Sequence, residues 1–207
     1  DSNNFGSFTG LQMAAIVTVA TIATAFMTDA ISGLMPPMPE WIESTMEQLL
    51  KAPLWITLIS VSVFAPVFEE WLCRGVVLRG LLAKNSPKTA IIVSSVFFAV
   101  IHFNPWQAIP AFILGLLFGY VYYKTGSLKL TMLMHFVNNT MALIMSRIPS
   151  FQDAETFADV MSPWAYACVI AACVLFLAAS FITLRAIPMS SEDATSNCDE
   201  VPSISVE

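Results

Sequence analysis

From Ala52 to Phe68 seventeen consecutive residues carry no charge, and the run ends on two adjacent carboxylates, Glu69 and Glu70, followed by Arg74. A membrane helix needs about 20 mostly apolar residues to cross a hydrocarbon core of about 30 Å, and this run continues into one. A charge buried there costs roughly 2.5–3.5 kcal/mol on insertion scales, so ionisable residues inside a span point to function. Helical spacing sets the two acids apart. Glu70 and Arg74 are four apart and are expected to pair on one face, whereas Glu69 lies about 100° round the helix without that partner. One acid is expected to be neutralised structurally and the other to be open to chemistry.

The remainder of the chain supports an all-α, polytopic transmembrane bundle. Hydrophobic residues make up 57% of the sequence and charged residues 12%, against roughly 25% charged in soluble domains. Six spans are expected: 10–35, 53–82, 89–103, 106–123, 130–148 and 163–184. Between the first two, Pro39 to Leu50 has early acids and Trp41, Ile42, Met46, Leu49 and Leu50 at helical spacing, the pattern of a short interfacial amphipathic helix. Pro66 should kink the second span and free a carbonyl near the acids. Asn104-Pro105 should end the third, and Gly115-xxx-Gly119 should let a neighbour approach the fourth closely.

Arg79, Lys84, Lys88, Lys124, Lys129 and Arg185 fall at one end of these spans, against Lys51 and Arg147 at the other. The positive-inside rule then puts both termini in the cytoplasm. No basic patch suggests nucleic acid as a partner. Cys73, Cys168 and Cys173 lie in apolar segments and Cys198 in a polar tail, with no CxxC. Cys73, four residues after Glu69, is expected to pack rather than act as a nucleophile.

The chain has two histidines, His102 and His135, both inside expected spans. His135 and Asn139 share a helical face, as do Phe98 and His102. Glutamate, two imidazoles and a carboxamide suit hydrolysis of a peptide bond: the acid activates water, and histidine and asparagine stabilise the oxyanion. Glu69, His102 and His135 would equally suit a zinc ion with an open water position. The spacing leaves that choice open, and no HExxH is present.

Glu69-Glu70-xxx-Arg74, Phe98-xxx-His102 and His135-xxx-Asn139, in this order on successive helices, resemble the three motifs of the CPBP intramembrane proteases. That family includes type II CAAX prenyl endopeptidases and Abi-like bacterial members linked to bacteriocin processing and self-immunity. The resemblance covers about 53–145. It implies a membrane endopeptidase with Glu69 as the water-activating base, His102 as its helper, and His135 with Asn139 as the oxyanion site. Glu70, Arg74 and Phe98 would support them. It further implies a lipid-modified, CAAX-like or otherwise membrane-associated protein substrate, and either a zinc or a metal-free, glutamate-based mechanism. The domains expected are a flexible segment at 1–9, a transmembrane protease domain at 10–185 and a polar, disordered cytoplasmic tail at 186–207. The rival readings are a proton-coupled transporter, against which no internal repeat is found, and a non-catalytic scaffold or immunity protein.

Overall fold

The computed structural model describes residues 2–151, 154 and 156–188, and among them there is helix and no strand. Helix α1 spans Gly10–Ser32. It starts at a reciprocal cap in which Thr9 Oγ1 accepts from Gln12 N–H and Gln12 Oε1 accepts from Thr9 N–H. This satisfies two otherwise unpaired groups at the helix start. The helix ends slightly short of the expected Met35, at Gly33, whose N–H is donated to Asp29 O. Amphipathic α2 (Glu40–Leu50) follows, with Glu40 and Glu43 in its first turn, where acids favour the helix dipole. Ile42 is buried and Trp41 is exposed. The side chains of Leu49 and Leu50 lie outside the described residues.

Helix α3 runs without a break over 29 residues, Leu54–Leu82. At about 1.5 Å per residue it reaches roughly 40 Å, longer than the hydrocarbon core. Two stretches, Leu58–Phe64 and Trp71–Leu78, are π-helical. The first explains how Pro66 sits within the helix. Ala65 N–H is donated five residues back, to Ser60 O. On that repeat Val61 O would look to Pro66, which has no N–H to give. The freed carbonyl expected from the sequence is therefore that of Val61, and Asn139 Nδ2 donates to it at 2.8 Å.

Helix α4 (Pro87–Val100) starts at Ser86, whose hydroxyl accepts from Thr89 N–H. The expected break is observed: Phe103 takes a left-handed φ of 51°, and the Asn104 side chain caps α5 (Pro105–Thr125) by accepting from Trp106 N–H at 3.0 Å. Helices α4 and α5 pack closely through the two glycines. A Cβ placed on Gly115 would stand 3.1 Å from Ser95 Cβ, and one on Gly119 would stand 3.1 Å from Ile91 Cγ2. Gly126, at φ 61°, closes α5 and turns the chain into α6 (Leu128–Met145). After a 3-10 turn at Pro149–Phe151 come the short α7 (Phe157–Val160) and α8 (Pro163–Ala186).

Among the described residues four helices, α1, α3, α5 and α8, are long and apolar enough to cross a membrane. The other two of the six expected spans are shorter: α4 has 14 residues and α6 has 18, among them His135, Asn138 and Asn139. The main core gathers Met13 and Val17 of α1, Phe118 and Val121 of α5, Met134 of α6 and Leu184 of α8. Large apolar side chains such as Phe64, Trp71, Leu175 and Ile182 face outward, as suits a surface solvated by lipid. The protein is an integral membrane protein. Asn4 N–H donates to Thr125 O at 2.8 Å, and Phe5 and Phe8 pack on the core. Asp153, Glu155, and residues 189–207 with Cys198 lie outside the described residues.

Candidate active site

Three helices supply the polar groups that the sequence singles out. Glu70 and Arg74, one turn apart on α3, are both fully buried and joined at 2.8 Å between Oε1 and Nη1. Arg74 Nη2 also donates to Gly115 O at 3.2 Å. The guanidinium carbon lies 4.4 Å from the Phe98 ring centre and 5.3 Å from that of Phe118. Such cation–π contacts stabilise a desolvated cation. The expected ion pair is present, with three further anchors.

Glu70 Oε1 also accepts from His135 Nδ1 at 3.0 Å. A carboxylate can only accept, so Nδ1 carries the proton. The other ring nitrogen, Nε2, lies 3.9 Å from Glu69 Oε2. The two adjacent acids thus address opposite nitrogens of one imidazole. Glu69 is partly exposed, with 25% of its side chain accessible, and its Oε2 is buried without a hydrogen-bond partner among the described residues. The sequence left Glu69 with no partner on its own helix; the structure gives it His135, across the interface with α6.

His102 stands just beyond the end of α4. Its Nδ1 is 2.8 Å from Phe98 O, and since a carbonyl only accepts, Nδ1 carries a proton; a neutral ring then has its lone pair on Nε2. The Phe98 ring meets both imidazoles edge-on, with centroids 5.0 Å from His102 and 5.4 Å from His135. Phe98 therefore sets the orientation of both rings and also carries Arg74 on its face.

Glu69, Phe98, His102, His135, Asn138 and Asn139 all line one cavity of about 580 Å³, within the usual range for small-ligand sites. Its other walls include Val61, Ala65, Ala111, Leu114 and Phe118. Asn138, Gln107 and Ser60 line it too and were not singled out from the sequence. Asn138 carried a readable signal, because it lies three residues after His135 on the same helical face. Cys73 is fully buried, packed with Phe98 and Ala111, and is not among the cavity-lining residues.

Glu69, His102 and His135, the expected zinc set, line one cavity, and the Nδ1 hydrogen bonds of the two imidazoles leave each Nε2 available, as in metal-ligating histidines. Among the described residues no three His, Cys, Asp or Glu side chains are already drawn together around a common point as a metal site.

Residues 51–141 match the family model for Type II CAAX prenyl endopeptidase Rce1-like proteins. Over these residues the chain is similar to that family. The Rce1-like domain begins just before α3 and ends within α6, so it contains every one of the site residues above, from Glu69 to Asn139. No curated protein and no solved structure matches the chain. The match supports a CAAX-type intramembrane protease, a hydrolase, in general terms and weighs against the transporter reading.

Proposed function

We propose that the chain is an intramembrane endopeptidase in which Glu69 activates the water that attacks a peptide bond of a membrane-associated or lipid-modified protein. The observation that carries this reading is the Glu69 carboxylate itself: it stands on the cavity wall with an unpartnered buried oxygen, 3.9 Å from His135 Nε2. A buried polar atom left unpaired calls for a functional account, and a water held there would supply the nucleophile. Glu69 takes one proton of that water, and the hydroxide adds to the scissile carbonyl carbon. On collapse the C–N bond breaks, and the proton on Glu69 passes to the leaving nitrogen. The products are a carboxylate and an amine.

His102 assists by turning its Nε2 lone pair towards the attacking water. The oxyanion is met by His135 Nε2–H and by the second N–H of Asn139, its first being spent on Val61 O. With His135 protonated, Glu69, Glu70, Arg74 and His135 sum to zero charge, the condition under which buried charges are tolerable. The apolar wall of the cavity suits a prenyl or acyl chain beside the peptide. We place the basic ends of α3, α5 and α8, with both termini, at the cytoplasmic face.

The test uses the purified full chain in detergent with a farnesylated peptide ending in a C-a-a-X sequence. Mass spectrometry should show release of the C-terminal tripeptide by the wild type and none by Glu69→Gln. Cleavage at equal rates by the two proteins would end the proposal for Glu69. An intact peptide with the wild type would end it for this substrate class.

A further inference from the structure

Three carboxamides line the catalytic cavity: Gln107, Asn138 and Asn139. Asn139 is engaged at both ends, because its Nδ2 donates to Val61 O at 2.8 Å and its Oδ1 accepts from Asn138 Nδ2 at 3.2 Å. The orientations are fixed in sequence: the Val61 carbonyl requires a nitrogen opposite it, and the Asn139 oxygen then requires one from Asn138. Gln107 Nε2 is directed at Met46 Sδ, at 3.2 Å. Asn138 has given one N–H and retains a second N–H together with its carbonyl oxygen.

Its position gives those groups a use. Beside the catalytic cavity lies a second one of about 300 Å³, and Asn138 lines both, with Pro110, Leu114, Ala142 and Ser146 also shared. A chain that occupied both cavities would pass Asn138. On α6 Asn138 lies three residues after His135, so the two side chains are neighbours with Cβ atoms about 5–6 Å apart. A peptide about to be cut is extended, and each of its residues brings an N–H and a C=O into an apolar cavity, where an unpaired group is costly. A side-chain carboxamide is uncharged and offers a donor and an acceptor on separate atoms, matching the N–H and C=O of such a backbone.

We propose that Asn138 is a substrate-binding residue whose carboxamide pairs with the peptide backbone next to the scissile bond, while Asn139 holds α3 in place. This rests on the protease reading for its substrate class. Asn138 Nδ2–H donates to a substrate carbonyl and Oδ1 accepts from a substrate N–H.

The experiment is a cycle between enzyme and substrate. Each non-scissile amide of the farnesylated peptide is replaced in turn by an ester, which removes one N–H, and kcat/KM is measured with wild type and Asn138→Ala. At one position the ester should lower wild-type kcat/KM by about three- to tenfold, the size of one neutral hydrogen bond. With Asn138→Ala the amide peptide should already show that loss, and the ester should add nothing. Ester effects of equal size in both proteins at every position would overturn the proposal, since a merely structural Asn138 leaves them unchanged. Asn138→Asp, which keeps the acceptor and loses the donor, should retain the ester sensitivity and guards against a misfolded alanine variant. If the wild type cuts no peptide, the protease reading fails separately. Equilibrium binding of the same peptides to Glu69→Gln and Glu69→Gln/Asn138→Ala then decides: an ester effect confined to the first supports the contact, and no binding or no difference overturns it.

Discussion

His135 is held at Nδ1 by Glu70, 3.0 Å away, and presents Nε2 to Glu69 at 3.9 Å. One ring is thus set between two consecutive carboxylates that leave α3 in different directions. Each acid keeps an Oε2 without a hydrogen-bond partner among the described residues. What differs is that Glu70 spends its Oε1 on both Arg74 and His135, while Glu69 lines the cavity.

Glu69→Gln should therefore stop cleavage with little change in melting temperature. General acid–base groups contribute about 10²–10⁴-fold, and kcat should fall by that much. Glu70→Gln should lower stability, because removing one partner of a buried pair costs about 3–5 kcal/mol, and it should also slow turnover by loosening His135. Adding Arg74→Met to Glu70→Gln should restore part of the stability and none of the turnover. Thermal melts in detergent and peptide cleavage read both quantities. A stable, inactive Glu70→Gln beside an active Glu69→Gln would reverse the two roles.

Cys73 packs on Phe98 and Ala111 outside the cavity. Cys73→Ser should keep more than half of wild-type kcat/KM, and thiol alkylation of the wild type should not inhibit through this residue. Loss of turnover in a folded Cys73→Ser protein would restore a thiol to the mechanism.

Asn139→Leu should destabilise α3, because Val61 O loses its donor, at about 1–3 kcal/mol for an orphaned buried group. Pro66→Ala supplies a backbone N–H at the position the proline left empty. The double variant should melt above Asn139→Leu alone. Equal melting temperatures for the two would show that the carbonyl does not depend on this pairing.

The charge bias of the helix ends predicts that a cysteine at Lys88 is shielded from an impermeant thiol reagent on intact cells, while one at Glu43 is labelled. Met46, which lines the catalytic cavity, belongs to the same helix as Glu43, so the experiment also reports which face that end of the cavity addresses. The reverse labelling pattern would turn the molecule over and give that end to the cytoplasm.

Much of this was legible from spacing alone. The Glu70–Arg74 pair, the break at Asn104-Pro105, the glycine contact of α5 and a carbonyl freed by Pro66 all follow from local rules of helix geometry. What the sequence could not show was contact between helices. An i,i+4 rule sees partners along one helix, so it left Glu69 alone and left Glu70 with Arg74 only, when both acids meet His135 of α6. The two π-helical stretches leave no mark in the sequence apart from Pro66, yet the first decides which carbonyl is freed. Asn138 went unread for a related reason: His135 and Asn139 matched a spacing, and that drew attention from the neighbouring carboxamide, which keeps more of its hydrogen-bonding capacity.

Gly115 shows where these two levels meet. Its missing side chain admits Ser95 and Phe98 of α4 to within 3.1–3.3 Å of where a Cβ would stand, and its carbonyl takes a hydrogen bond from Arg74. An alanine there would push on the helix that carries Phe98, the ring against which both imidazoles rest, and would disturb the acceptor of the buried guanidinium. The mutational tolerance of this helix contact is thus set by chemistry as much as by packing. A screen for lost activity should find Gly115 beside Glu69 and His135, although the glycine has no side chain with which to touch a substrate.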